Sequence, residues 1–318
     1  MQEEVLVLGY GPVGRATVAA LLAGGGNVRV AQRSRPADLP PCVAFTRCDV
    51  LDPDSVNAAL AGAAQIVVTI GWPYDGAVWL RDWPRAMTNL LEGCAATGAR
   101  MVFVDNLYMY GAQDRPLTED MPLAAKGRKP AARAQVTNLW QAARDSVRVV
   151  ALRAPDFYGP GVTQSHLGDM AFGALARGKT AQLAAPADVP HDFAYVPDIG
   201  CAVVMLLDAP DGDFGQVWHM PCAPTQSTRQ ILALGTGGKP RILSIPLALL
   251  PLLGLAVPML REMAEMRFQW DRPYHVDARR FTQRFGLVPT PFAIGAVETA
   301  RSFAGRAAVD VFGAAQAA

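Results

Sequence analysis

Six residues near the start of this 318-residue chain have the types and spacing to hold a phosphate: Gly9-Tyr10-Gly11-Pro12-Val13-Gly14, a GxGxxG. Each glycine has its own task. One permits a tight turn, one lets backbone approach a pyrophosphate, and one lets a helix pack against a strand. Free N–H groups at the helix start, aided by its dipole, then attract the anion. About 20 residues further on, a free ribose 2′-hydroxyl would call for a carboxylate. This chain has Gln32-Arg33-Ser34-Arg35 there instead. Guanidinium groups hold a 2′-phosphate. NADP is therefore expected over NAD, with Arg33 leading and Ser34 as an added donor. NAD, held through Gln32, is the alternative.

The elements that must position this turn are legible around it. Residues 5–8 form an apolar run, 12–23 an Ala/Leu-rich helix, and 28–31 a second strand after Gly24-Gly25-Gly26. The alternation continues with strands at 43–46, 65–70, 101–104 and 147–152 and helices at 53–60, 78–96 and 131–145. Asp52 is the expected N-cap ahead of Pro53. The strands are continuous β-branched runs, the pattern of parallel strands covered on both faces. The fold class is therefore α/β, a Rossmann-type doubly wound parallel sheet. Residues 1–153 form the dinucleotide-binding part. Residues 154–318, richer in Pro and Gly, form a smaller substrate lobe interleaved with the sheet. Its expected helices cover 199–207, 228–234 and 292–303.

Composition narrows the function. With 51% apolar and 18% charged residues the chain can bury a large core. A net charge of +1 argues against a nucleic-acid partner. Five cysteines without a CxxC pattern give no metal or disulfide framework, and they read as reduced, mostly buried thiols. No basic leader precedes the first strand, so a cytoplasmic location is expected. The apolar run 247–257 (LALLPLLGLAV) is too short to span a bilayer. It reads as a buried or pocket-covering helix, with association with a membrane surface as the alternative, and no membrane partner is expected.

Six blocks in order give the chain a family resemblance. They are Cys48-Asp49-Val50, Thr69-Ile70-Gly71, Asp105-Asn106-Leu107-Tyr108-Met109-Tyr110-Gly111, a stretch at 152–161 (LRAPDFYGPG), one at 191–198 (HDFAYVPD), and Phe285-Gly286-Leu287-Val288-Pro289. Together they resemble the short-chain dehydrogenase/reductase superfamily, in its extended and atypical NAD-dependent epimerase/dehydratase branch. The resemblance implies that Asp49 and Val50 cradle adenine and that Thr69, Ile70, Gly71 and Pro155 line the rest of the cofactor. It also implies a homodimer as a common assembly.

The same resemblance exposes a departure. Relatives use a YxxxK pair on the helix expected at 131–145, where tyrosine moves a proton and lysine lowers its pKa. Here residues 126–135 contain no tyrosine. By spacing, the tyrosine position falls near Gly127 and the lysine position near Ala131. The usual serine position carries Asn106. Substitute chemistry would use Tyr108, Asn106 and a nearby cation, Lys126, Lys129 or Arg133. The readings that follow are an NADP-dependent oxidoreductase, a non-catalytic NADP-binding regulator, and an epimerase or dehydratase.

Aromatic residues suggest the substrate. Trp72 and Tyr74 follow the fourth strand at its carboxyl end, where open sheets bind ligands. With Phe157 and His191 they point to a small, apolar or aromatic molecule. Trp79 and Trp83, four apart, read as core packing. No histidine has companions at metal-ligand spacing.

Overall fold

The computed structural model describes residues 3–316, with side chains through residue 305. Met1 and Gln2, read above as the lead-in to the first strand, lie outside the described residues. Seven parallel strands form one sheet. They are β1 (Glu4–Leu8), β2 (Asn27–Gln32), β3 (Ala44–Arg47), β4 (Gln65–Val68), β5 (Arg100–Asp105), β6 (Val149–Arg153) and a last strand at Val217–His219. From that last strand the order across the sheet is β6, β5, β4, β1, β2, β3. The chain reverses direction across the sheet between β1 and β4, which are neighbours. Such a switch point opens a crevice at the carboxyl ends of the strands.

The register brings the functional positions to that edge. Leu8 pairs with Ala31 and with Val68, and Asp105 pairs with Arg153. Gly9, Thr69, Asn106 and Ala154 therefore leave the sheet side by side. Helix α1 (Pro12–Ala23) starts with Pro at its first position, and α2 (Pro53–Leu60) is capped by Asp52, which accepts from the Asp54 N–H. Helix α3 (Gly76–Thr97) is capped by Asp75 and α4 covers Arg128–Ala142. One face of the sheet is sealed by α1 with the Val196–Leu207 helix, the other by α3 with α4. A Cβ on Gly200 would lie 2.6 Å from the Ala16 carbonyl oxygen, so only glycine lets that helix press on α1. Asp198 accepts from the Thr290 N–H and hydroxyl at 2.7 Å, which ties the helix to the turn after Gly286.

Three expectations need correction. The fourth helix starts at Arg128 rather than residue 131, because Pro130 sits in the first turn, where a missing N–H costs nothing. The 247–257 run is neither buried nor one helix. Pro246, Pro251 and Pro258 break it into short pieces, and of its residues only Leu250 and Gly254 are buried. Finally, only Cys48 and Cys94 are buried thiols, while Cys42 and Cys201 are exposed.

Candidate functional site

The glycine turn combines two positions that admit no side chain with one that faces open space. Gly9 has φ +96°, a left-handed conformation, and a Cβ there would meet the Ile70 backbone at 3.1 Å. A Cβ on Gly14 would lie 2.1 Å from the Gly9 oxygen. Gly11 is different: its φ is an ordinary −73°, and a Cβ would meet nothing within 4 Å. Its missing side chain leaves open space at the start of α1, where the helix N–H groups are free. Pro12 and Val13 begin the helix, and Thr69 braces the turn by donating to the Leu8 and Gly9 oxygens at 3.1 and 2.9 Å. Gly71 also faces open space.

The other positions expected to hold a cofactor lie along the same carboxyl edge of the sheet. Gln32 accepts from the Tyr10 N–H at 3.0 Å and donates to the Ser34 oxygen at 2.8 Å. Gln32 is thus occupied in shaping the turn. Arg33 and Ser34 are exposed, and Arg33 forms no ion pair among the described residues. The Asp49 carboxylate caps its own loop by accepting from the Leu51 N–H at 3.0 Å. Val50 is buried beside it, and its oxygen accepts from Asn89. Ile70 is half-buried and Pro155 buried at the same sheet edge.

A buried charge network lies under the ends of β5 and β6. Asp105 accepts from both Arg133 and Arg153 and from the Asn106 N–H. Arg153 also donates to the Tyr110 hydroxyl at 2.7 Å and to Thr137 at 2.8 Å. Arg133 lies over the Trp83 ring, 4.1 Å from its centre. Two buried guanidinium groups against one carboxylate leave an excess of positive charge beneath the crevice, offset in part by ring faces.

The residues nominated for catalysis separate into two groups. Asn106 uses its oxygen to accept from the Tyr108 N–H at 3.1 Å, which leaves its amide nitrogen as a donor. Tyr108 stacks on Trp79 with ring centres 5.9 Å apart, and its hydroxyl lies close enough to that of Tyr74 for each to perturb the other's ionisation. Burial pushes both phenols well above their usual range. Asn106, Tyr108 and Tyr74 therefore meet. The lysines do not join them as free bases. Lys126 is exposed. Lys129 is fully buried, with Nζ 2.5 Å from Glu262 and 4.6 Å from the centre of the Tyr74 ring. Glu262 and Glu265 belong to the Pro258–Glu265 helix, and Glu262 also accepts from the Gly76 N–H at 2.8 Å.

The positions inferred for the missing pair also shift. Gly127 precedes α4, and Ala131 is only half-buried. The inward pair with four-residue spacing is Lys129 and Arg133, both buried. A helix start drawn at residue 131, just after Pro130, hides this.

Beyond the tyrosines lies a column of rings. His166, Trp270, His191 and Tyr274 follow one another with centres 4.0, 4.0 and 4.8 Å apart. His191 is buried and bonded at both nitrogens, to the Gln269 oxygen and to Asp156, each at 3.2 Å. Burial drops His166 to about 4, so it is neutral at neutral pH. Trp72 packs edge-on against Trp83, and Phe157 is half-buried, next to Asp156 in sequence. Three buried polar atoms in this region have no hydrogen-bond partner: Trp72 Nε1, Ser165 Oγ and His166 Nε2. Buried polar groups are ordinarily satisfied, so such a cluster suits a ligand with its own donors and acceptors. Sequence reasoning missed Asp156, although it stands inside a quoted block. It also missed Trp270 and Tyr274, which no motif marks. No group of three His, Cys, Asp or Glu side chains arranged for a metal occurs among the described residues.

Residues 5–219 match the NAD dependent epimerase/dehydratase family. No curated protein matches the chain. Several solved structures share its fold. UDP-glucose 4-epimerase from Thermus thermophilus, solved with NAD, is 21% identical with a TM-score of 0.77, covering 95% of this chain and 99% of that one. The dTDP-glucose 4,6-dehydratase from Streptomyces venezuelae, solved with NAD and TYD, is 20% identical with a TM-score of 0.78, covering 96% and 98%. UDP-glucuronic acid 4-epimerase from Bacillus cereus, solved with UDP-glucuronic acid and NAD, is 16% identical with a TM-score of 0.77, covering 95% and 99%.

Proposed function

Because the chain belongs to the NAD dependent epimerase/dehydratase family, we propose that it is an NADP-dependent oxidoreductase that reduces a small, apolar or aromatic carbonyl compound. The observation that carries this reading is the open space at Gly11, framed by Gly9 and Gly14 positions that admit no side chain. The backbone of residues 9–14 would hold the pyrophosphate, Arg33 and Ser34 the 2′-phosphate, and Asp49 with Val50 the adenine. Thr69, Ile70, Gly71 and Pro155 would flank the remainder. When bound, the nicotinamide supplies hydride exchange at its C4 carbon.

The protein's own groups set the direction. A phenol held protonated by burial is a proton donor, not a base. Tyr108 gives its proton to the carbonyl oxygen as negative charge grows there. The Asn106 amide nitrogen donates a hydrogen bond to the same oxygen. Arg133 adds positive charge nearby and lowers the cost of the resulting phenolate. Trp72, Tyr74, Phe157 and His191 shape the wall for the substrate. Lys129 keeps Tyr74 in place as a positioning residue.

The sealed Lys129–Glu262 pair favours a second reading, cofactor binding without turnover. Stopped-flow oxidation of NADPH against a panel of aryl aldehydes and ketones separates the two. Turnover that falls in Tyr108→Phe supports the first. Tight NADPH binding with flat absorbance across the panel supports the second. An NADH preference refutes the assignment of Arg33.

A further inference from the structure

The sequence from residue 214 to residue 261 contains no Asp or Glu. Within it, the proline-broken apolar run turns its side chains outward. Leu252 is 65% exposed, Leu255 85% and Met259 53%, and Leu243, Leu249 and Val257 are exposed as well. A Cβ on Gly254 would lie 2.7 Å from the Arg261 backbone, so the run and the Pro258–Glu265 helix sit back to back as one hairpin. Isolated surface leucines are ordinary, but six large apolar side chains in and beside one hairpin mark an interface.

The charges identify what covers it. Arg261 and Arg267 are exposed on and beside the hairpin, Lys239 and Arg241 are exposed earlier in the same stretch, and none forms an ion pair among the described residues. The carboxylates of Glu262 and Glu265 turn inward onto Lys129 and Arg128. The outer surface is therefore apolar and cationic with no carboxylate of its own. A second copy docked through the same patch would oppose like charges. An anionic lipid surface complements both features. Leucines enter the boundary between headgroups and acyl chains while the cations reach the phosphates. We infer that residues 247–267 form a wedge that docks the protein onto an anionic membrane surface. The wedge lies on the bilayer, since no described helix is long and apolar enough to cross one.

Vesicle flotation of the full chain tests this without cofactor or substrate. The protein is expected to float with mixed phosphatidylcholine/phosphatidylglycerol vesicles, not with pure phosphatidylcholine, and less as salt rises. Leu252→Asp with Leu255→Asp should abolish flotation. Arg261→Gln with Arg267→Gln should weaken it about 30-fold, at about 1 kcal/mol per surface cation. If the leucine variant melts early, the arginine variant decides, because both of its side chains are solvated. Equal recovery on the two lipids, or none on either, overturns the proposal. So does a wild-type dimer, seen by sedimentation velocity, that the leucine variant turns into monomer.

Discussion

Replacing Lys129 by methionine asks whether this lysine works as a reagent or as a clamp. The side chain is fully buried, and its ammonium sits 2.5 Å from Glu262. Methionine keeps much of the volume and removes the charge. Glu262 would then keep the Gly76 N–H and the more distant Arg128, 3.5 Å away. Breaking a buried pair from one side costs about 3–5 kcal/mol, because the remaining charge stays desolvated. For a chain of this length the unfolding entropy converts that to a melting point about 4–8 °C lower. The pH dependence carries a signature. Burial raises Glu262, but Lys129, the Gly76 N–H and Arg128 outweigh it, so the carboxyl lies below its ordinary 4.5. A depressed carboxyl adds stability above its unfolded pKa and loses it as pH falls through the folded value. Without Lys129, burial wins and the carboxyl rises. The variant is therefore most penalised at neutral pH and recovers part of the loss as Glu262 protonates on acidification. The gap between wild type and Lys129→Met, followed by thermal melts from pH 7 to pH 4, should narrow. Adding Glu262→Leu should restore most of the stability at pH 7. An unchanged melting point with lost NADPH oxidation would refute the clamp and make Lys129 a reagent.

Further outcomes follow from the same geometry. Gly11→Ala should melt within about 1 °C of wild type, since its Cβ meets no atom, yet calorimetry should show NADPH binding weakened at least about tenfold. Gly14→Ala, whose Cβ would strike the Gly9 oxygen, should lose both binding and stability. Arg33→Ala should weaken NADPH about tenfold and leave NADH unchanged, the scale of one charge-assisted hydrogen bond. Tyr108→Phe should lower kcat about 10²- to 10⁴-fold with little change in KM. In wild type, burial of Tyr108 keeps the reduction rate from falling with alkali until pH exceeds the ordinary phenol range.

Local signals in the sequence located most of the sheet and its helices. Pro at the first helical position and an Asp cap fixed α2 to the residue, and the glycine turn fixed the start of α1. These devices act over a few residues, so a few residues reveal them. The errors share the opposite cause. Lys129 meets Glu262 across 133 positions, and His191 meets Gln269 across 78. No spacing rule anticipates such contacts. Pro130 misplaced the start of α4 because proline inside a first turn looks, in sequence, like a helix boundary. The apolar run 247–257 resembles core by composition, and only the packing shows that its prolines turn it outward.

The edge position of the Val217–His219 strand has a consequence for biogenesis. During synthesis β6 emerges with one side already paired to β5, while its other side waits for residues that follow much later in the chain. At ordinary translation speeds that interval is about 3–13 s. Throughout it, the Val149–Arg153 backbone presents unpaired amides and carbonyls along an apolar ribbon, the kind of edge that recruits other nascent chains. Until residues 217–219 arrive, the sheet carries at β6 an open edge that the finished fold covers.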